Sequence, residues 1–345
     1  MKSSVARFIP LITLVSLACA GAVQAQEAVT TSPTDEEAQP GAYLSLMFGN
    51  GRIHGENREG TRWMRGRTFE VRAGREQPGL FGTGRIDFVH YNEGHPENNH
   101  RDGFAVQWVA TRPSWEVGVG PYLSMNTTTG ADGRQRDESN LGLLVGAALR
   151  VPLGFMPDGT HLRIGLNHVW MRDVHDSTAL LVGIGRQFGA AAPNPSTEPA
   201  SDSPWFGISF GNAITNMSGT DVAYAATLEV RKYMPASGPF KHWAASLKYI
   251  DEGDDGARVD RHGFAGQAWY VQQVTPRFAM SAGIGPYITR NSREQDHTRA
   301  NLLISLQAEH AISRHTRAYV NFNRVKTLRQ TDDRDLWQVG ILKRF

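Results

Sequence analysis

A single cysteine, Cys19, stands in the 345 residues, and it falls inside the N-terminal leader described below. Once that leader is removed, the chain offers no disulfide, no thiol nucleophile and no thiolate metal ligand. Long apolar runs are also missing. Mean hydropathy is −0.39, and the apolar stretch Phe8 to Leu17 is well under the roughly 18 residues that a spanning helix needs. Charge of one sign is lacking too. Thirty-six Lys and Arg against 34 Asp and Glu leave a net +2, with no long basic run to hold a nucleic acid. Gly118-x-Gly120 is no phosphate loop, because it sits inside an alternating segment and not between a strand and a helix. These absences do not exclude a chain that crosses a membrane with strands, since there a polar face dilutes the apolar one.

What is present begins with the leader. Met1-Lys2 and Arg7 give a positive start, Phe8 to Leu17 an apolar core, and Val23-Gln24-Ala25 a small-residue cleavage site before Gln26. Residues 1–25 therefore read as a signal peptide. Ser16 stands where a bacterial lipobox ending at Cys19 has leucine, so lipidation is not expected. Residues 26–40 are polar, acidic and Pro-containing, and read as a disordered tail.

The remainder carries one design twice. Glu70-Val71-Arg72 returns as Glu229-Val230-Arg231, and Gly103-Phe104-Ala105-x-Gln107 as Gly263-Phe264-Ala265-x-Gln267. Gly118-x-Gly120-Pro121-Tyr122 returns as Gly283-x-Gly285-Pro286-Tyr287, and the segment closing on Phe188 returns as the one closing on Phe345. Repeated anchors in one order set the architecture. Each copy holds eight alternating segments, near 42–49, 67–73, 84–91, 103–110, 115–124, 140–149, 161–170 and 178–188, then near 205–213, 222–233, 241–250, 262–271, 277–289, 298–309, 315–325 and 336–345. Residues 41–188 form the first repeat and 205–345 the second. Between them, the Ala/Pro/Ser-rich residues 189–204 read as a linker.

Period two is the strand signature. Leu141, Leu143, Val145, Ala147 and Leu149 share one face, for example, opposite Gly142, Gly146 and Arg150. The polar faces repeatedly carry charge: Glu70, Arg72, Arg85, Asp87, Glu116 and Arg163 in the first copy, and Glu229, Arg231, Lys248 and Glu309 in the second. Eight strands enclose space that side chains can fill. Opposite charges paired in that space, with apolar residues outside, describe a membrane barrel. The odd connections are long and the even turns short. Trp63, Trp108, Trp115, Trp170, Trp205, Trp243, Trp269 and Trp337 lie mostly in or beside strands, and several of them are expected with Tyr in interfacial girdles.

The last ten residues, Leu336 to Phe345, resemble the C-terminal signature strand of bacterial outer-membrane β-barrel proteins of the small eight-stranded type. Trp337, Val339, Ile341 and Phe345 match the alternating pattern, whereas Lys343 departs from it. The resemblance implies recognition by the barrel assembly machinery, residence in the outer membrane of a Gram-negative bacterium, and contact with its lipid and lipopolysaccharide. A weaker similarity is to lipid A deacylase barrels, whose signature is His-x-Ser on the seventh strand. His168 falls there, but Trp170 occupies the nucleophile's slot and the second copy has Arg324 in place of the histidine. Alternatively, His168 and Arg324 are interfacial residues near lipopolysaccharide phosphates.

His90, His95 and His100, with His54 in another outward loop, are weak candidates for a metal site. The equivalent residues 251–261 contain acids and no histidine, so no cofactor is expected. The fold expected is all-β, with two tandem eight-stranded antiparallel transmembrane β-barrels; the alternative is one sixteen-stranded, porin-like channel. The function expected is a non-enzymatic structural, interaction or surface-adaptation role, with a lipid A-modifying hydrolase as the competing class. The sequence does not identify an extracellular partner. N-terminal sequencing of the mature protein should begin at Gln26, and deleting Phe345 should lower outer-membrane assembly more than a substitution in an outward loop.

Overall fold

Alternation becomes closure in the computed structural model of the chain. It describes residues 41–54, 62–64, 68–77, 84–95, 100–129, 135–172, 174–189, 203–216, 219–234, 240, 242–294, 298–328 and 332–345. The expected leader, the tail and most of the linker lie outside these residues. The first eight strands are β1 (Ala42–His54), β2 (Thr68–Glu76), β3 (Gly84–Glu93), β4 (His100–Thr111), β5 (Trp115–Thr129), β6 (Gln135–Pro152), β7 (Thr160–Met171) and β8 (Asp176–Gln187). The second eight are β9 (Trp205–Thr215), β10 (Ala223–Tyr233), β11 (Trp243–Asp254), β12 (Asp260–Thr275), β13 (Phe278–Asn291), β14 (Thr298–Ser313), β15 (Thr316–Thr327) and β16 (Arg334–Arg344).

All pairing is antiparallel, and the sheet closes twice. β8 returns to β1 through Tyr43↔Gln187 to His54↔Asp176, and β16 returns to β9 through Thr215↔Arg334 to Trp205↔Arg344. The sixteen-stranded alternative is thereby overturned: β8 and β9 each spend their ladder groups within their own barrel, so neither keeps an edge for the other. Each barrel starts and finishes at one end, here the terminal end. The β1–β2, β3–β4, β5–β6 and β7–β8 connections and their counterparts lie at the far end.

All sixteen expected strands are present, but many run longer. β6, expected near 140–149, spans 18 residues. Its first stretch, Gln135–Asn140, pairs in register with Ser124–Thr129. Gln135–Asn140 contains no apolar residue, so hydrophobic periodicity gave no sign of this extension.

The repeated anchors have a mechanical explanation. Tyr122 reaches across Gly103 to donate to the Tyr91 carbonyl, which lies opposite that glycine on β3. Tyr287 does the same in the second barrel, donating to the Ile250 carbonyl opposite Gly263. Gln107 reaches across Gly120 to the Leu144 carbonyl at 2.8 Å, and Gln267 across Gly285 to the Leu303 carbonyl at 3.3 Å. A Cβ at Gly120 or Gly285 would stand 1.9 or 1.8 Å from a carbonyl of the preceding strand. Beside them, Pro121 and Pro286 have no N–H to give the ladder. The glutamine ties restore a link between strands at each of these gaps.

The barrels pack side by side. Near the terminal end, Ala42, Val274 and Phe278 cluster with Leu44, Phe188, Met280 and Ala308. Nearer the far end, Phe104, Met125, Ile304 and Phe322 cluster with Phe88, Leu302, Leu306 and Trp337. Because each ladder closes on itself, residues 26–188 and 205–345, each expressed behind a signal peptide, should fold in detergent. Each should migrate as a heat-modifiable barrel; a heat-insensitive first half would show that closure depends on the second.

Candidate functional site

The inward faces of β2, β3, β5 and β7 bring six charges to one level of the first lumen. Glu70 meets Arg72 at 3.0 Å, and Arg72 meets Asp87 at 2.8 Å. Asp87 meets Arg85 at 2.5 Å, and Arg85 meets Glu116 at 3.2 Å. Glu116 meets Arg163 at 2.7 Å, and Arg163 returns to Glu70 at 2.5 Å. Three acids and three bases alternate around a closed, neutral ring, all of them buried. Asn167 Nδ2 donates at 2.8 Å to Glu70 Oε2, which Arg72 Nη2 also reaches, and the Arg85 guanidinium lies 3.5 Å over the Tyr43 ring.

In the second lumen the ring is open. Glu229 pairs with Arg231 at 2.7 Å, Arg231 with Glu309 at 2.8 Å, and Glu309 with Arg317 at 2.9 Å. Lys248 approaches Glu229 only to 3.9 Å. The register places Ala244, Ser246, Ser281 and Tyr319 where the first copy has Arg85, Asp87, Glu116 and Arg163. Trp269 fills the space instead. It donates to Ser246 Oγ at 2.8 Å, and Arg231 and Lys248 lie 4.1 and 4.6 Å from the centre of its ring. Trp205 also faces inward, against Arg317. These two tryptophans correct the expected interfacial girdle: each lies on the inward parity of its strand, where cations cover it.

Above each charged level lies an apolar one. Met47, Tyr91, Tyr122, Leu144, Val169 and Leu181 belong to the first, and Ala213, Ile250, Tyr287, Leu303, Val325 and Leu336 to the second. A second ionic level follows toward the far end, and the sequence reading missed it. Glu93 pairs with Arg101 at 3.2 Å and accepts from Ser177 at 2.6 Å. At the same repeat positions Glu252 pairs with Arg261 at 2.7 Å, with Arg334 at 3.8 Å. Extending the Gly103/Gly263 alignment a few residues back would have matched Arg101 with Arg261. In the β11–β12 connection, Asp255 accepts from Thr215 Oγ1 at 2.6 Å and from the amides of Val259, Arg258 and Ala257. Burial pushes its carboxyl up, and these donors outweigh it, holding the group below the ordinary carboxylate range.

The candidate histidines are dispersed. His90 lies on the outer wall of β3 and bonds Asp102 at 2.6 Å, whereas His95 bonds the inward Glu93 at 2.8 Å. The side chain of His100 lies outside the described residues. Among the described residues, no three His, Cys, Asp or Glu side chains converge as a metal site.

His168 lies on the outward face of β7, with its ring 4.6 Å from that of Trp170. Its Nδ1 is 2.7 Å from Thr178 Oγ1, which also bonds His54 Nε2 at 2.8 Å. His168 and Thr178 are directly opposed across the ladder. The same cross-strand position in the second copy holds Arg324 and Asp335, paired at 2.8 Å. Arg324 is buried against the first barrel, so its expected place at lipopolysaccharide phosphates is corrected: acids cover it on both sides. Trp337, Val339 and Ile341 occupy outward positions of β16, and Phe345 is exposed beside Phe206.

No protein-family model matches the chain, and no curated protein matches it. Among solved structures it is similar to an outer-membrane channel of Pseudomonas putida F1, at 11% identity over 91% of this chain and 100% of that one, with a TM-score of 0.23. It is similar also to the outer-membrane protein Omp33 of Acinetobacter baumannii, at 8% identity over 90% and 100% of the two chains, with a TM-score of 0.19. The outer-membrane protein OmpT of Vibrio cholerae follows at 11% identity over 88% and 96%, with a TM-score of 0.19. The weaker similarity to lipid A deacylase barrels is not shown by the structures named.

The closed ring generates an asymmetric expectation. Glu70→Ala leaves three bases facing two acids in a buried ring, and removing one partner of a buried pair costs about 3–5 kcal/mol. Unfolding titrations in detergent should show a clear loss for Glu70→Ala and a smaller one for Glu229→Ala, whose basic neighbours keep the ring of Trp269.

Proposed function

We propose that the chain is an integral outer-membrane protein with a non-enzymatic, structural or surface-presenting role, its two barrels serving as filled and non-conducting supports. One observation carries this reading: side-chain polarity is inverted relative to a soluble barrel. Phe206, Ile208 and Phe210 stand exposed on the outer wall of β9, while the ionic rings are buried inside. Water would penalise that outer wall, and lipid favours it. Lipid and lipopolysaccharide then contact the outer wall, the far-end connections face the exterior, and the Phe345 strand is the part offered to the barrel assembly machinery.

A pore is the less favoured reading. Eight-stranded barrels have interiors that side chains can fill, and here two ionic levels and an apolar level occupy each one. Fractionation should place the protein with the outer membrane. Planar-bilayer recordings should show no stable, large-conductance state; a soluble periplasmic protein, or a reproducible wide pore, would overturn the reading.

A hydrolase stays in view because of Thr178, whose hydroxyl sits between two imidazoles on the outward wall. Threonine can act as a nucleophile beside a base. Yet the second copy places an ion pair at the same two positions, which marks this as a cross-strand polar pair. Incubation with lipid A should leave every acyl chain in place by mass spectrometry. Acyl loss abolished by both His168→Ala and Thr178→Ala would reverse the assignment.

A further inference from the structure

The two barrels meet through faces that are not equivalent. The first contributes the outer wall of β3 and β4: Phe88, His90, Asp102 and Phe104. The second contributes the outer wall of β15 and β16: Phe322, Arg324, Asp335 and Trp337. Across the seam Arg324 Nη1 bonds Asp102 at 3.5 Å, and within the second barrel it bonds Asp335 at 2.8 Å. His90 holds the other oxygen of Asp102 and stacks on Phe322, with ring centres 5.5 Å apart. A second tie, Arg75 to the Tyr270 hydroxyl at 3.0 Å, joins the barrels near the terminal end.

Every one of these polar groups sits at an outward position, where the polarity of the rest of the wall is apolar. They are buried because the neighbouring barrel covers them. The repeat supplies an internal control. Phe104 is 7% exposed, whereas Phe264, at the same repeat position, is 59% exposed. At the uncovered counterparts the ionic partners have gone: His262 replaces Asp102, His168 replaces Arg324, and Thr178 replaces Asp335. Of the second tie, Ala110 stands where the second barrel has Tyr270, whereas Lys232, an exposed cation, stands where the first has Arg75.

We propose that Asp102, Arg324 and Asp335, with His90, form a docking lock that holds the two barrels of one chain head to tail in the membrane. Its absence from the two open faces keeps further copies from adding on. A face that differs from its partner makes a heterologous contact, and such a contact propagates into open assemblies unless something stops it. Here the stop is chemical. The open faces keep the apolar residues, Leu166, Leu180 and Phe264, but lack the three charges of the lock. Apolar wall gives no net drive to associate in lipid, whereas an outward charge is costly until it is paired. The occupant of each locked face is therefore the other barrel of the same chain.

The proposal rests on the membrane reading, and the two fail differently: fractionation tests location, and the following measurements test docking. A protease site placed within 190–202 of the full-length protein is cut after reconstitution in lipid nanodiscs of phosphatidylethanolamine and phosphatidylglycerol, and the fragments are then extracted and sized in mild detergent. Wild-type fragments should travel together, and those of Arg324→Gln or Asp102→Asn should separate while each stays heat-modifiable. Separation of wild-type fragments, or persistence of the Arg324→Gln pair, would overturn the lock. A gain-of-association variant guards against a variant that fails to fold. Uncut protein carrying His168→Arg, Thr178→Asp and His262→Asp should form a ladder of multimers, because its open faces have become complementary. A single-chain size for that folded variant would also defeat the proposal.

Discussion

Six charges cannot stay inside a narrow barrel unless each finds its opposite, and the first lumen is arranged around that demand. Glu70 is the hinge of the ring, accepting from Arg72, Arg163 and Asn167. These come from β2 and β7, which do not adjoin, so the ring forms only when the wall curves fully round. Buried charge is costly unless paired with good geometry. The ring therefore makes partial closure unfavourable, and the ladder and the lumen enforce the same end state.

The second barrel meets the same demand with less charge. Its Glu229 and Arg231 stand two residues nearer the terminal end than Glu70 and Arg72 do, a tryptophan replaces half of the ring, and Arg231 and Lys248 lie against the ring of Trp269. The far-end pairs Glu93–Arg101 and Glu252–Arg261 are retained. So are the tyrosine and glutamine side chains that pass over glycines. What the copies share is thus the set of ties that pass over one strand to the next, together with the far-end ion pair; how each lumen is packed near the terminal end is free to differ.

Much of this was legible in the sequence. Alternation located all sixteen strands, and the repeated Glu-Val-Arg and Gly-Phe-Ala-x-Gln anchors marked the copies. Inward parity also identified the charges that pair in the ring. Three things were hidden for physical reasons. The Gln135–Asn140 extension contains no apolar residue, so it has no hydrophobic signature. Trp205 and Trp269 face inward, a parity that aromatic content alone does not disclose. Asp102 and Arg324 are outward charges whose meaning depends on which wall covers them, and pairing between distant segments leaves no local pattern. The metal candidates His90 and His95 look like neighbours in sequence, but β3 and its far end send them to opposite sides of the wall.

Both barrels begin and finish at the terminal end, because an even number of strands returns the chain to its starting side. Both ends of the connection between them therefore lie on one side of the barrels. The fold is accordingly modular in a strict sense. A whole barrel can be gained or lost by a single duplication or deletion in the gene without inverting whatever follows. Growth by this route adds units in a row, and only the chemistry of the newest outer wall determines whether the row continues.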